Sequence, residues 1–297
     1  MENFSKNNDH QRASHFSPDE LDIFIIAEIG INHNGDIEIA KRLIDQAVQS
    51  GCSAVKFQKR TISTVYPQSL LNQPRESPWG TTQRDQKEGL EFSYEDYRVI
   101  DDYCKRRGIP WFASAWDIES QRFLRTFDCP YNKIASAMLT HKQFITFVAE
   151  EKKVTFISTG MSTLQDIDQA VEIFENSSCP FILLHSVSTY PANEADLNLR
   201  VIQTLKERYG CMVGYSGHES SVSPSIMAAV LGAKVIERHI TLDRAMYGSD
   251  QSASLEPNGL QNLVSSLRKV AVCLGDGEKR ILEGERIVAR KLRYWES

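Results

Sequence analysis

Short apolar segments alternate with longer amphipathic segments from residue 23 onward. The apolar segments are short enough for strands, and their near-continuous hydrophobicity is typical of parallel strands buried on both faces. The longer segments repeat their apolar residues at helical spacing. The predicted strands are 23–27, 54–57, 111–113, 133–135, 154–157, 181–184, 212–215 and 235–236. The predicted helices are 36–50, 94–107, 117–127, 141–150, 163–175, 197–208, 222–232 and 258–273.

These eight strand–helix units carry no glycine-rich dinucleotide fingerprint after the first strand. The pattern therefore favours a closed α/β barrel, the (β/α)8 or TIM barrel, over an open doubly wound sheet. We expect one barrel domain over residues 21–280, preceded by a flexible polar tail (1–20) and followed by a charged helical tail (281–297). Residues 59–93, after the second strand, are too many for an ordinary connection. They predict a long functional loop that covers a substrate at the barrel mouth.

The charge balance narrows the class of partner. The 297-residue chain has a formal net charge of -5 and no basic stripe, which argues against nucleic acid as a partner. Its six cysteines form no CxxC pair, and its N-terminus lacks the basic and apolar regions of a secretory signal. We expect a cytoplasmic protein with reduced thiols and no membrane association.

Reactive side chains in a barrel lie at the carboxyl ends of the strands. Nearly every predicted strand of this chain delivers polar residues to that rim. They are Glu28, Lys56, Gln58, Ser114, Asp117, Lys133, Ser136, Ser158, His185, Ser188, Tyr190, Ser216, His218 and His239.

Two histidines end consecutive strands of the predicted barrel. His218 and His239 can converge on one metal ion and leave positions for water and a substrate oxygen, which favours metal binding over two isolated structural residues. Manganese, cobalt, zinc and magnesium all suit such a site. Asp250, after the eighth strand, is a candidate contact to substrate or metal, whereas His33 and His185 are interpreted as structural or supporting residues.

Two lysines lie in or beside apolar runs, where an unpaired ammonium group is costly. Lys56 and Lys133 on one rim, with backbone N–H groups from the turn at 158–160, predict a site for a phosphate and a carboxylate together. Glu28 is either a proton acceptor or hydroxyl-binding group, or the partner of a rim lysine in a buried ion pair.

Eight segments around these residues resemble the sialic acid synthase family, and they occur in order from about residue 23 to 280. Members of this family join phosphoenolpyruvate to an amino sugar or sugar aldehyde and make nonulosonic acids for cell-surface polysaccharides and glycoconjugates. The matching segments are IIAEIGINHNGDIEIAKRLID, SAVKFQK, YNKIAS, ISTGMS, LLHSVSTYP, VGYSGHE, VIERHITLDR and LGDGEK.

The resemblance implies a role for each matched position. In the mechanism it implies, a divalent metal, foremost manganese with magnesium or cobalt as alternatives, polarises the acceptor aldehyde while C3 of phosphoenolpyruvate attacks it. Water then adds at C2, and phosphate leaves with C–O cleavage. The resemblance also implies a homodimer. The positions matching phosphoenolpyruvate-binding residues are Lys56, Lys133, Ser136, Ser158, Ser188 and Ser216; those matching the metal ligands are His218 and His239; those facing the metal and acceptor are Glu28, Gln58, Tyr190 and Asp250.

Two departures from the family pattern bear on the substrate, and a third, Ser188, lies among the positions that match phosphoenolpyruvate-binding residues. Ala137 and Met138 stand where many members have glycine and an acidic residue, and Ser188 stands where many have asparagine. The sequence also ends near the expected start of the C-terminal antifreeze-like domain that contacts the acceptor in bacterial members. The acceptor is therefore open between an N-acetylmannosamine-like hexose and another aldose. Two alternatives also remain: a synthase of shorter 3-deoxy-2-ketoaldonic acids from a phosphorylated aldose, and a non-catalytic barrel that binds a sugar or phosphoenolpyruvate.

Overall fold

The computed structural model describes residues 23–296, so the predicted tail over residues 1–20 lies outside the described residues. Strands and helices are numbered in chain order. The strands are β1 Phe24–Gly30, β2 Ala54–Lys59, β3 Pro74–Ser77, β4 Gly80–Thr82, β5 Trp111–Ala115, β6 Asn132–Ile134, β7 Thr155–Ser158, β8 Phe181–Ser186, β9 Val213–Gly217 and β10 Val235–His239. The α-helices are α1 Ile37–Ser50, α2 Ile62–Val65, α3 Gln68–Leu71, α4 Gln83–Gly89, α5 Tyr94–Arg107, α6 Ile118–Leu124, α7 Lys142–Ala149, α8 Leu164–Asn176, α9 Val201–Tyr209, α10 Ser223–Val230, α11 Pro257–Leu274 and α12 Glu283–Leu292.

Eight parallel strands close into a barrel in the order β1-β10-β9-β8-β7-β6-β5-β2. The predicted (β/α)8 barrel is therefore confirmed. Seven of the eight barrel strands run further toward their carboxyl ends than predicted, whereas β6 ends at Ile134, one residue short of the prediction; β10 reaches His239, which pairs with Glu28 of β1. The backbone ladder continues there although the side chains turn polar, so the apolar pattern stopped before the strand did.

Alternation along the strands divides the barrel interior into two layers. Side chains two positions apart share a face, so Phe24, Phe112 and Phe156 lie below Glu28, Ser114 and Ser158 on the same inner faces. The ring centroids of Phe24 and Phe156 are 5.9 Å apart, and those of Phe112 and Phe156 are 5.5 Å apart. These rings form an aromatic floor beneath the polar rim.

The predicted long loop after the second strand is confirmed, and it is folded. It holds α2, α3, the antiparallel β3–β4 hairpin and α4 between β2 and α5. Thr82 and Asp85 cap the start of α4 reciprocally. Gly89, at the other end of α4, lies so close to the ring of Trp79 that an added Cβ would come within 2.1 Å of a ring atom. The carbonyl oxygen of Gly89 lies equally close to Gly35, where an added Cβ would come within 2.1 Å of it. The insertion is thus packed closely on the barrel.

All six cysteines are free thiols. None of the helices in residues 23–296 combines the length and the hydrophobicity needed to cross a membrane.

A buried ion pair joins the ends of β9 and β10 on the outer side of the barrel. Arg238 donates from Nη1 to Oε1 of Glu219 at 2.9 Å, to Oγ of Ser225 at 2.9 Å and to the carbonyl oxygen of Ser221 at 2.8 Å. The hydroxyl of Tyr215 donates to the other Glu219 oxygen at 2.8 Å. Arg238 and Glu219 are each at most 1% exposed. They directly precede and follow His239 and His218, so the pair ties the two histidine-bearing strand ends together.

We expect Arg238→Gln to lower the free energy of unfolding by about 3–5 kcal/mol, because it leaves the Glu219 carboxylate buried without its cation. Urea denaturation followed by circular dichroism measures this loss. Arg208→Gln is the matched control: its pair with Asp168, at 2.7 Å, is exposed, and removing it costs about 0–1 kcal/mol. Equal losses in the two variants would contradict the assignment of Arg238 as a structural clamp.

Candidate active site

A cavity of about 230 Å³ opens at the carboxyl ends of the barrel strands. It brings together every predicted site residue except Asp250. Those residues are Glu28, Lys56, Gln58, Lys133, Ser136, Ser158, Ser188, Tyr190, Ser216, His218 and His239.

Four buried charged groups form the base of this cavity, and we call them the charge quartet: Glu28, Lys56, Lys133 and Glu237. Nζ of Lys56 lies 2.8 Å from Oε2 of Glu28 and 3.9 Å from Oε2 of Glu237. Nζ of Lys133 lies 3.7 Å from Oε1 of Glu237 and donates to the hydroxyl of Ser158. The ion pair that was the alternative interpretation of Glu28 is therefore present.

The pKa values of the quartet show how it divides its charge. Burial raises the pKa of Glu28 to about 7 against the pull of Lys56, and Glu237 raises it further. Burial alone would raise the pKa of Glu237, but Lys133 and Lys56 outweigh it and lower the value to about 2. Burial and the neighbouring Lys56 lower the pKa of Lys133 to about 8. Near neutral pH Glu28 is thus partly protonated, so the quartet has more positive than negative charge and suits an anion.

Hydroxyl groups border the lysines around Gly160. The Gly160 N–H donates to Oγ of Ser136 at 3.1 Å, and an added Cβ on Gly160 would lie 2.2 Å from Oγ of Ser188. The Ser188 hydroxyl is buried without a hydrogen-bond partner among the described residues. Ser216 donates to Oε1 of Glu237 at 2.9 Å. The bare glycine leaves space for a ligand, and Ser188 has an unused donor for it.

The two histidines lie side by side, with ring centroids 5.5 Å apart. The carbonyl oxygen of Val187, 2.7 Å from Nδ1 of His218, can only accept, so Nδ1 carries the proton and Nε2 accepts from the Tyr190 hydroxyl at 2.9 Å. Nδ1 of His239 is buried, has no hydrogen-bond partner within residues 23–296, and lies 3.9 Å from a carboxylate oxygen of Asp250. Burial and its neighbour His239 lower the pKa of His218 to about 4, and burial likewise lowers the pKa of His239. Both rings are neutral at pH 7, the form that binds metals.

Within residues 23–296, no cluster of three or more His, Cys, Asp or Glu side chains is arranged to hold a metal ion. The cavity does contain two neutral imidazoles side by side, those of His218 and His239, and neutral imidazole is a common ligand of divalent metals.

A second cavity of about 250 Å³ shares Gln58, Trp116 and Tyr190 with the first. Asp250 lies in its wall, opposite residues of the insertion such as Arg60 and Lys87. The site thus has two halves: one built by the barrel strands, and one built largely by the insertion.

Sequence reasoning did not assign Glu237, Trp116 or Met161 to the site, although all three line the first cavity. Glu237 lies two residues before His239, so strand alternation was the signal that places both on the inner face. Of the two residues that depart from the family pattern expected after Ser136, Met138 is 8% exposed and packs in the core, whereas Ala137 lines the cavity.

His33 and His185, the two histidines interpreted as structural or supporting residues, lie outside the cavity. The ring of His33 stacks on Phe92 with centroids 3.9 Å apart, and burial lowers its pKa to about 3. Nε2 of His185 donates to the carbonyl oxygen of Leu197 at 2.7 Å. Both contacts agree with the structural interpretation.

A closed (β/α)8 barrel with buried cations and a histidine pair at its carboxyl-terminal mouth has the architecture of an enzyme. A sequence model of the NeuB family matches residues 43–279, and the chain therefore belongs to the NeuB family.

The relatives of this chain include synthases of N-acetylneuraminate 9-phosphate, N,N'-diacetyllegionaminic acid and pseudaminic acid. Human N-acetylneuraminate-9-phosphate synthase is 39% identical over 272 residues, which cover 91% of this chain and 76% of that protein. The N,N'-diacetyllegionaminic acid synthase of Legionella pneumophila is 36% identical over 88% of this chain and 76% of its own length. The crystal structure of N-acetylneuraminic acid synthetase from Leptospira borgpetersenii, in complex with citrate, superimposes with a TM-score of 0.80 at 31% identity, covering 92% of this chain and 93% of that one. The resemblance to the sialic acid synthases, and the prediction of a phosphoenolpyruvate-dependent enzyme of their type, are confirmed.

We expect anion binding to weaken as the pH rises past about 8, because Lys133 has a lowered pKa and loses its proton there. The affinity for inorganic phosphate, measured by calorimetry from pH 7.5 to 9.5, should fall by up to about tenfold per pH unit at the alkaline end. Lys133→Met should bind weakly and show no such dependence. A constant affinity of the unaltered protein over this range would rule out Lys133 as the titrating cation.

Gly160→Ala should weaken phosphate binding about tenfold, because the new methyl group displaces the Ser188 and Ser136 hydroxyls, each worth about one hydrogen bond. Gly259→Ala is the matched control, since its Cβ would meet only Leu255 at an ordinary 3.7 Å. Both variants are compared by calorimetry, with thermal unfolding as a check on folding. Unchanged phosphate affinity in Gly160→Ala would place the anion elsewhere.

Proposed function

We propose that this protein condenses phosphoenolpyruvate with a sugar aldehyde, an N-acetylmannosamine-like hexose or a related aldose, in a metal-dependent reaction. The products are a nonulosonic, sialic-acid-like 3-deoxy-2-keto acid and phosphate. One observation carries this proposal: a barrel of the NeuB family places two buried lysines and a pair of neutral histidines in a single cavity.

The lysine half of the cavity suits phosphoenolpyruvate. Lys56 and Lys133 supply two cations for its phosphate and carboxylate, and Ser136, Ser158, Ser188 and Ser216 supply hydroxyls. The quartet already holds these ammonium groups in place with Glu28 and Glu237. Binding therefore replaces partners around fixed cations and requires little ordering of long side chains.

The histidine half suits a divalent cation, foremost manganese, with magnesium or cobalt as alternatives. His218 and His239 would hold it through neutral imidazole nitrogens, and Val187 fixes the ring orientation of His218. When bound, the ion acts as a Lewis acid on the acceptor carbonyl. Asp250, Tyr190 and Gln58 lie on the acceptor side, where hydroxyl groups of a sugar need partners.

The proposed chemistry forms one carbon–carbon bond and breaks one carbon–oxygen bond. C3 of phosphoenolpyruvate attacks the aldehyde carbon, and the aldehyde oxygen takes a proton. Water adds to C2, and the bond from C2 to the phosphate oxygen then breaks, which gives the ketone and phosphate.

Glu28 is our candidate acceptor for the proton that the water loses. Its pKa of about 7 lies near neutral pH, where a general base is effective. Gln58 donates to Oε1 of Glu28 at 2.9 Å and orients it. An anion bound to Lys56 competes for the same ammonium group, so donor binding makes Glu28 more basic.

The other candidate functions have less support. The likeness to 3-deoxy-D-arabino-heptulosonate 7-phosphate synthase of Thermotoga maritima is at 14% identity and shows the fold alone. A non-catalytic barrel would not need the neutral histidine pair beside the anion site. A homodimer remains a prediction from the resemblance.

The deciding experiment incubates the protein with phosphoenolpyruvate, manganese and a panel of free, acetamido and phosphorylated sugars. We expect mass spectrometry to find an adduct with three more carbons than one of the sugars, and 18O in the bridging position of phosphoenolpyruvate to appear in the released phosphate. His218→Ala and His239→Ala should each lower kcat/KM by about 10³-fold, or about 4 kcal/mol, as should chelation of the metal.

The control for these variants is His141→Ala, which removes an exposed histidine at the start of α7 and should keep full activity. Failure of every sugar in the panel to consume phosphoenolpyruvate would refute the proposed function.

A further inference from the structure

Met161 has an unfavourable backbone conformation at the mouth of the first cavity. Its φ is 58°, in the left-handed region where a side chain is costly and glycine is not. Its apolar side chain is 70% exposed. Of the five non-glycine residues with a positive φ in residues 23–296, Met161 is the one that lines this cavity. Backbone strain of this kind is concentrated at ligand sites.

Hydrogen bonds on both sides keep Met161 in this conformation. The Gly160 N–H, just before it, donates to Oγ of Ser136 at 3.1 Å. The Ser162 hydroxyl, just after it, donates to the Gly160 carbonyl oxygen at 3.3 Å. Thr163 then forms a capping box at the start of α8. The strained residue is therefore held at the cavity mouth by groups of the barrel and of α8.

The charge quartet determines which part of the donor points toward this mouth. C2 of phosphoenolpyruvate carries three substituents: the phosphate ester oxygen, the carboxylate and the methylene carbon C3. The proposed function places both anionic groups at the base of the cavity with Lys56 and Lys133. Because C2 is planar, the remaining substituent, C3, points away from the lysines. Met161 offers an apolar and adaptable side chain on that side.

Met161 lies across the mouth from the histidine pair. It follows β7, whereas His218 follows β9 and His239 ends β10, and β8 and β9 separate β7 from β10 in the closed barrel. An acceptor aldehyde beside the histidines would therefore reach C3 from the side that Met161 does not occupy. The thioether can cover one face of the donor and leave the reacting carbon open.

We propose that Met161 is a donor-binding residue whose side chain packs on the C3 methylene of phosphoenolpyruvate. The proposal rests on the proposed function, because it takes phosphoenolpyruvate as the donor. The two lysines recognise charge and would bind any small anion that carries a phosphate and a carboxylate. Contact with C3 selects the donor among such anions, and this selection is the reason for the strained turn.

The test compares phosphoenolpyruvate with 2-phosphoglycolate, which has the same two anionic groups but lacks the C3 methylene. In calorimetry, the unaltered protein should bind phosphoenolpyruvate about tenfold more tightly, because C3 and the thioether are removed from water together. Met161→Gly should lower this ratio to about twofold, through weaker binding of phosphoenolpyruvate alone. Met161→Leu should keep most of the ratio, because leucine has a similar apolar volume.

Lys152→Gly is the matched control. Lys152 is exposed and has a φ of 54°, but it precedes β7 and so lies at the opposite end of the barrel. This substitution introduces glycine at the same kind of backbone position and should leave both affinities unchanged. Neither glycine variant should lower the melting temperature by more than about 2 °C, because glycine adopts the left-handed conformation freely.

Three results would overturn the proposal. The first is a ratio near one in the unaltered protein, and the second is a ratio that Met161→Gly does not change. The third is an equal loss of both affinities, or a larger fall in melting temperature, in Met161→Gly, which would make Met161 a structural residue. These titrations need no acceptor. The expected ratios without turnover of any sugar would therefore support the contact while the proposed function fails, and turnover with an unchanged ratio would do the reverse.

Discussion

The ion pairing of two lysines with two glutamates inside the barrel is the constraint on which the rest of the site depends. Four charges at the centre of a protein are tolerable only when each has a partner. Their arrangement is fixed by strand register, since Glu28 stands opposite Lys56 and Glu237 opposite Ser216. An anionic ligand joins a structure whose cations are already desolvated and held. The free energy needed to desolvate and position these cations is therefore supplied when the barrel folds, before any ligand binds.

At the ends of β9 and β10, residues that line the cavity alternate with residues that stabilise the barrel from the outside. In β10, Glu237 and His239 face the cavity, while Arg238 between them faces outward and binds Glu219. In β9 and the turn after it, Ser216 and His218 line the cavity, while Tyr215 and Glu219 complete the outer network. The functional side chains of β9 and β10 therefore have neighbours in sequence that anchor the backbone from the other side. This explains how a rim made of strand ends can position side chains without long supporting loops.

The sequence alone predicted the barrel and most of the cavity wall, because both follow from simple periodicity. Lys56, Lys133, His218 and His239 stand at strand ends, and the carboxyl ends of parallel barrel strands must meet. Glu237 stands at the polar end of the eighth predicted strand, but its pairing with Lys56 and Lys133 depends on distances across the closed barrel, which no pattern in the sequence gives. The arrangement of the insertion could not be predicted from the sequence, for a different reason. Its contacts, such as Trp79 on Gly89, join residues with no periodic pattern, and only the folded chain shows that Lys87 faces a cavity.

The close packing of α4 against Trp79 and the Gly35 turn bears on how substrate preference can change among proteins of this architecture. The strand residues of the donor half cannot change singly, because each is tied into a buried network that also holds the barrel. The insertion, by contrast, meets the Gly35 turn of the barrel through the Gly89 carbonyl oxygen and contributes its own wall to the second cavity. The sequence of this one segment can therefore change while the strand residues stay the same, and the proposed carbon–carbon bond formation would then act on a different sugar. In this way a new acceptor preference would arise without any change in the strand residues that form the lysine half of the site.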